Sequence, residues 1–558
     1  MKKLLALFFL SGFLVNAHAQ ISGTIFRDFN GDGIQQVAAP YSEPGIQGVV
    51  VNAYDKSNIL LNTTFSGPSG SYTLPFTDTV RIEFEIQPNN TCFTQIKDYS
   101  SYLPNGENIR FVYAPTNNLN FSIQNPAEYF LFSPIDAFVT RFNRGDPLVA
   151  GPPASATALF GHPYKSGGNG FVSPMQLPAA PVGAIWGMAY SKHAKKLFAS
   201  AFVKRFAGLG PLGSGGIYLL EPNGASFNVT NFYDLDANGY RTRAAAGAVP
   251  FGLGSSFTIN VAGTQATYLG PIDPVSGAPE GLGVVGVNGV GGRELTNVVN
   301  GTWNDPSVMA QACKVGIGDL DISDDGRFLF LTNLYDRKIY RLELDNVMNP
   351  QTVVSVTSYS IPNIPVTNGV LRPFGLCSHF GKIYIGVVST GENGGQNIVN
   401  GATDLYAYML EMTDPTGNPT INPAPVFSLP LNYQKGSAGP MGSNKWYPWN
   451  DNTGALQGGG EMSLPTPVFS DIGFNQRGDL IIDLMDRSGH QFGYGGKRHL
   501  TGNVNVPYVI GGDLLIAGFD CATGAYSIEN NGSYISNGTT YNGWGIGNNQ
   551  GIGGGEFF

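Results

Sequence analysis

The segment Val315–Pro362, VGIGDLDISDDGRFLFLTNLYDRKIYRLELDNVMNPQTVVSVTSYSIP, constrains the fold more than any other part of the chain. Read with the two-residue period of strands, it divides into GDLDIS, RFLFLTNL, KIYRLELD and TVVSVTSYS. Turns fall at Asp324-Asp325-Gly326 and Tyr335-Asp336-Arg337. The unbroken run FLFL fits a strand covered on both faces, whereas IYRLEL alternates as a half-exposed strand does. Four antiparallel strands in about 45 residues make one blade of a β-propeller.

Weaker copies begin at Ile185 (IWGMAYSKHAKKLFASAF), Arg372 (RPFGLCSHFGKIYIGVV) and Phe469 (FSDIGFNQRGDLIIDLMDR). Their spacing is uneven, with Gly-rich insertions at 280–292 and 435–460, and no helical periodicity interrupts them. Residues 130–558 are therefore expected to form an irregular β-propeller of six or seven blades. Composition agrees: only 13% of residues are charged, while 76 Gly, 35 Phe and 26 Tyr suit short strands and tight turns. A net charge of -9 without a Lys/Arg-rich run argues against nucleic acid as a partner. Cys92, Cys313, Cys377 and Cys521 are scattered, so they make no zinc site and their pairing is left open.

Residues 20–124 read as a separate small β domain, with the runs SGTIF, GVVVNAYD, SYTLPF, VRIEFEIQ, IRFVYA and LNFSI at the spacing of a sandwich. Its RDFNGDGIQQ stretch alternates Asp28, Asn30 and Asp32 before Gly33, the first half of a calcium loop. The carbonyl of Ile34 is placed as a further donor, but the twelfth position is Ala39 where an EF-hand needs a Glu. The ordered set ISGTIFRDFNGDGIQQ, EPGIQGVVVNAYD and GSYTLPF resembles the B-type domains of serine-aspartate-repeat surface adhesins, relatives of the collagen-adhesin B repeats. The resemblance covers about a hundred residues. It implies a prealbumin-like (Ig-like) β-sandwich that binds Ca2+ through Asp28, Asn30, Asp32 and Glu43. In that family the Glu before Pro-Gly joins the acidic loop, which supplies the acid missing at Ala39. The expected fold class is thus all-β, this sandwich followed by the propeller, with residues 125–129 as linker.

The opening MKKLLALFFLSGFLVNAHAQ has a basic start, an apolar run of about a dozen residues and a small-x-small cleavage pattern at Ala17-His18-Ala19. Residues 1–19 are read as a secretory signal, and no later stretch is long and apolar enough to span a bilayer. The expected location is extracellular, including attachment at the cell surface. The ending GIGGGEFF completes no strand pair, which reads as the truncated form of a longer surface protein.

Catalytic signatures are sparse. The chain has no G-x-S-x-G, H-E-x-x-H or Walker loop, and the GLGVVG match at Gly281, Gly283 and Gly286 lacks a strand-then-helix context. The densest polar cluster, Asp483, Asp486, Arg487 and His490, follows an apolar strand and is placed either to line a pocket or to tie strands together. Trp446 and Trp449 offer flat faces for a sugar, or belong to a packed loop. The function expected is structural or adhesive: a calcium-stabilised spacer presenting a propeller face to an extracellular protein or glycan ligand. The alternative is a propeller enzyme, a glycosidase, lyase or quinone-dependent dehydrogenase, using the 483–490 cluster. The two part on whether those side chains converge on an open pocket or pair with each other and the backbone.

Overall fold

A computed structural model describes residues 20–31, 33–39, 41–86, 94–95, 106–125, 137–145, 147–148, 151–163, 173–243, 256–261, 264–269, 298–299, 302–303, 308, 311–366, 368–392, 405–433, 435, 445–449, 465–475, 477–492, 496–497, 505–506, 511–530 and 532–543. The chain is all-β and divides into two compact units, residues 1–129 and 130–558. Asp32, Cys92, residues 1–19 and Gly281–Gly286 lie outside the described residues.

In the first unit the strands are β1 (Ile21–Arg27), β2 (Val50–Tyr54), β3 (Leu60–Phe65), β4 (Ser71–Leu74), β5 (Thr79–Glu85), β6 (Thr94–Gln95), β7 (Ile109–Tyr113) and β8 (Phe121–Gln124). They form two four-stranded sheets, ordered β4-β1-β8-β6 and β3-β2-β5-β7, with β1 and β8 parallel. Alternation in TVRIEFE turns Val80, Ile82 and Phe84 into a core shared with Ile25, Val51 and Phe121. There the Phe84 and Phe121 rings stack at 4.7 Å, and the Tyr72 hydroxyl donates to Leu119 O at 2.6 Å.

The second unit begins with a three-stranded sheet of β9 (Ala137–Thr140), β10 (Thr157–His162) and β11 (Met175–Pro178), with the single turn α1 (Pro152–Ser155) before β10. The first four-stranded meander follows as β12 (Ile185–Ser191), β13 (Lys196–Ala201), β14 (Gly216–Asn223) and β15 (Ser226–Asp234). After the pairs β16 (Ser256–Val261) with β17 (Thr264–Leu269) and β18 (Val298–Val299) with β19 (Thr302–Trp303), a second meander is built from β20 (Ile317–Ile322), β21 (Phe328–Asn333), β22 (Lys338–Leu344) and β23 (Val353–Ser360). The third comprises β24 (Leu371–His379), β25 (Lys382–Ser389), β26 (Tyr406–Thr413), β27 (Thr420–Ile421) and β28 (Phe427–Pro430). The fourth pairs β29 (Pro467–Phe474) and β30 (Leu480–Asp486) with β33 (Asp513–Asp520) and β34 (Ala525–Ile528). Between β30 and β33 lie the short helix α2 (Ser488–Phe492) and the pair β31 (Gly496–Lys497) and β32 (Asn505–Val506); the hairpin β35 (Ser533–Ser536) and β36 (Thr539–Asn542) ends the described chain.

Each meander's first strand, β12, β20, β24 or β29, stands at the end of its sheet, and these strands pack in sequence against one another. All four carry a register shift at the same place, at Ile185/Met188, Ile317/Leu320, Pro373/Leu376 and Phe469/Asp471. β21, the FLFLTN strand, is buried along its whole length, as a strand between two packed layers must be. Contact between first strands is close enough to demand glycine at Gly375, where an added Cβ would lie 2.9 Å from Phe469 O and 3.0 Å from Asp471 N. Gly375→Ala therefore pushes β24 away from β29. The expected cost is about 1–3 kcal/mol, read as a lower denaturant midpoint in equilibrium unfolding of the full chain.

Candidate functional site

The cluster singled out in the sequence is consumed by the structure. Arg487, fully buried, donates from Nε to Ala312 O at 2.8 Å, and its guanidinium stands 4.6 Å from the centre of the Trp449 ring. Asp486 accepts from Thr466 N at 3.0 Å and Ser488 N at 2.9 Å, so it caps the turn into α2; burial raises its pKa against those hydrogen bonds. His490 packs among Phe142, Trp186 and Phe202, with the Phe202 ring centre 4.9 Å away. Burial, with Lys204 and Arg487 beside it, holds that imidazole neutral far below its usual range. Asp483 is half-buried and accepts from the Ser470 hydroxyl at 2.9 Å, and burial pushes its pKa up to about 6.

Trp446 and Trp449 are also buried, at 3% and 4% exposure, which removes them as a sugar-stacking platform. Trp449 donates from Nε1 to Pro467 O at 2.6 Å, and Trp446 lies under the Lys435 ammonium at 4.6 Å. The same region holds Arg372, paired to Glu392 at 2.8 Å, and Lys314, 3.7 Å from the same carboxylate. Burial alone would raise Glu392, but the two cations overcome it and hold the group well below the carboxylate range. Cys313, buried beside this cluster, is pushed up to about 12 by burial and is inert as a nucleophile. Cys313, Cys377 and Cys521 are all free thiols.

In the first unit, Asp28, Asn30 and Glu43 are buried together. Asp28 accepts from Gly31 N at 2.6 Å and Gly33 N at 2.7 Å; Glu43 folds back to accept from Phe29 N and Gln36 N, both at 2.8 Å. Ile34 is exposed. Among the described residues no group of three His, Cys, Asp or Glu is arranged to hold a metal ion, and the third acid of the loop, Asp32, is not among them.

An open polar site among the described residues lies elsewhere, and the sequence reading missed it. Asp319 and Asp321 sit two apart in β20, so both reach the same neighbour, the unpaired edge of β24. Asp319 Oδ2 accepts from Leu376 N at 2.9 Å and Asp321 Oδ2 from Ser378 N at 2.5 Å; Asp324, in the following turn, accepts from Gly381 N at 2.7 Å. Asp471 on β29 is near enough for its charge to act on both. Burial and Asp471 raise Asp319 well above the usual carboxylate value, and burial lifts Asp321 and Asp471 to about 7 each. Beyond Asp321 the row opens into a pocket of about 180 Å³ between the β12–β13 and β20–β21 turns. Tyr190, Lys192, His193, Asp321, Asp324 and Ser378 line it. Gly326, at φ +73°, lets the second turn pass beside the His193 ring, which an added Cβ would meet at 2.5 Å. The signal available in the sequence was GDLDIS itself, two acids on one face of an otherwise apolar strand.

No protein-family profile matches the chain. The chain is 23% identical over 499 residues to Colossin-D of Dictyostelium discoideum, a match that takes in 84% of this chain and 43% of that protein. It thus spans under half the length of this curated relative. Among solved structures, a Lactobacillus plantarum protein shares 9% identity at a TM-score of 0.25, covering 87% of this chain and 95% of its own. A hypothetical selenium-binding protein of Sulfolobus tokodaii shares 12% at 0.24, covering 74% and 80%. Likeness at these scores carries no argument about function.

The raised carboxylates set a pH dependence. A folded-state pKa near 7 against about 4 unfolded means that the folded chain holds the extra proton between those values. The contribution of Asp321 to stability is therefore largest at low pH and is lost as pH rises from about 4 to 7. His193, driven to about 3 by burial and Lys192, acts in the opposite sense below about 6.5, so the variant comparison isolates the aspartate. Asp321→Asn is expected to gain on the wild type between pH 5 and pH 8, seen as a shrinking or reversed difference in melting temperature. A difference that is constant across that range would remove Asp321 as the titrating group.

Proposed function

We propose that this chain is a secreted or surface-exposed binding and scaffold protein, with a prealbumin-like sandwich as spacer and an irregular β-propeller as the binding face. The observation that carries this reading is the fate of Asp486, Arg487 and His490: each is buried and held by backbone or aromatic partners. Four meanders whose first strands pack in sequence support the propeller, and two facing four-stranded sheets over one core support the sandwich. Among the described residues no helix is long and apolar enough to cross a membrane, and secretion rests on the first 19 residues of the sequence. The purified chain is expected to turn over no common glycoside, ester or peptide. Hydrolysis that disappears on Asp486→Asn or His490→Ala would instead establish the enzyme.

Calcium belongs to the same reading. Two carboxylates, Asp28 and Glu43, are buried in one loop beside Asn30. This all-oxygen donor set suits a hard divalent ion, with Asp32 and the Ile34 carbonyl completing it. The bound ion would neutralise charge that burial otherwise makes costly. With a dissociation constant of about 0.1–1 mM, millimolar calcium would stabilise the unit by about 0.4–1.4 kcal/mol. The full chain should show one transition that rises in calcium relative to EDTA, and this rise should vanish in Glu43→Ala. Identical thermograms in the two buffers would leave the loop as a hydrogen-bonded turn.

A further inference from the structure

We infer that the pocket between the β12–β13 and β20–β21 turns binds one sugar unit of a neutral glycan, an inference that rests on the binding-protein reading and locates its ligand site. Its volume, about 180 Å³, is of the order of a single pyranose ring and is too small for a folded partner to enter.

The lining selects by charge. Asp321 and Asp324 stand on one wall with Lys192, the single cation of the lining, and the neutral imidazole of His193; behind Asp321, burial keeps Asp319 protonated and lifts Asp471 to about 7, as it does Asp321 itself. A phosphate, sulfate or carboxylate would therefore find no cluster of cations to pair with, only the one ammonium of Lys192. A metal ion is disfavoured as well, because among the described residues no three His, Cys, Asp or Glu come together to ligate one. Polar groups dominate the lining, so an apolar guest would strand them unpaired.

What remains is a guest with hydroxyls on neighbouring carbons, and the free hydrogen-bonding capacity matches it. Asp324 spends Oδ2 on Gly381 N at 2.7 Å, while its Oδ1 accepts nothing among the described residues. The Ser378 hydroxyl also has no partner there, although the Ser378 backbone is anchored by N–H donation to Asp321. An acceptor-only carboxylate oxygen beside a hydroxyl that both donates and accepts suits a pair of adjacent sugar hydroxyls. The wall is preorganised: Asp321 is held by Ile322 N at 2.7 Å and Ser378 N, and Ser323 Oγ accepts from Phe328 N at 3.0 Å to fix the turn. Tyr190, whose phenol burial pushes up to about 12, stays protonated as a further polar wall.

The test is titration calorimetry of the full chain with methyl glycosides of glucose, galactose, mannose and N-acetylglucosamine, with methylammonium as the cationic control. At least one glycoside should bind, and Ser378→Ala and Asp324→Ala should each weaken it about 10-fold, the loss of one hydrogen bond to a polar group. The melting temperature of Ser378→Ala should match the wild type, so that a folding defect in Asp324→Ala does not decide the result. No heat from any glycoside at about 20 mM, a level that would reveal even millimolar affinity, overturns the proposal. So does binding of methylammonium alone, which would make this a cation pocket. Glycoside binding untouched by both substitutions overturns the pocket but leaves the binding-protein reading standing. Conversely, glycoside turnover abolished by Asp324→Ala would keep the pocket and end the non-catalytic reading.

Discussion

The architecture of the second unit depends on how strand edges without a strand partner are satisfied. β20 and β24 each head a sheet, so one edge of each has no neighbouring strand in its own sheet to receive its N–H groups. Asp319 and Asp321 meet that need for β24 by accepting from Leu376 and Ser378, and Asp324 accepts from Gly381 in the turn that follows, each 57 residues further along. Side-chain carboxylates thus replace a β-ladder between two meanders. The cost is that several acids share a low-dielectric seam, which is why Asp319, Asp321 and Asp471 hold protons so tightly.

At the other end of the first strands the chemistry is inverted. Trp186, Phe202, Phe374, Val468, Met485 and Trp449 form an apolar cluster around Cys313. Buried cations surround it. Arg205 reaches α2 through its N–H to His490 O at 3.0 Å and its guanidinium to Gln491 O at 3.0 Å, joining the first meander to the fourth. Arg487 does the same for the 312 loop. Buried charge of this kind is weak evidence of net stability, yet removing one partner typically costs about 3–5 kcal/mol because the other is left uncompensated. A dense set of Asp, Arg and His near an apolar strand can therefore be a joint rather than a reaction centre.

These two ends give the unit its polarity. The cation–aromatic end is packed and closed among the described residues, whereas the carboxylate row runs toward the turns and opens at the pocket beside His193. The turns are where strands stop and side chains become free to face outward, so a binding site is easier to build there than in the seam.

The sequence by itself determined the local elements. FLFL and the flanking turn residues place β20 to β23 within a residue or two, because strand period and turn chemistry depend only on near neighbours. GVVVNAYD and VRIEFEIQ likewise mark β2 and β5. RDFNGDG marks the polar turn after β1, onto which Glu43 folds back to accept from Phe29 N and Gln36 N. It did not decide the fate of Asp486, Arg487, His490, Trp446 and Trp449, whose surroundings come from Ala312, Phe202, Pro467 and Lys435, far away in the chain for most of them. Nor did it separate Asp319 and Asp321 from any other pair of strand acids. Only the packing of β20 against β24, 57 residues apart, turns them into donors' partners and opens the pocket beside them, since hydrogen bonds between meanders follow tertiary neighbours and leave no mark in local spacing.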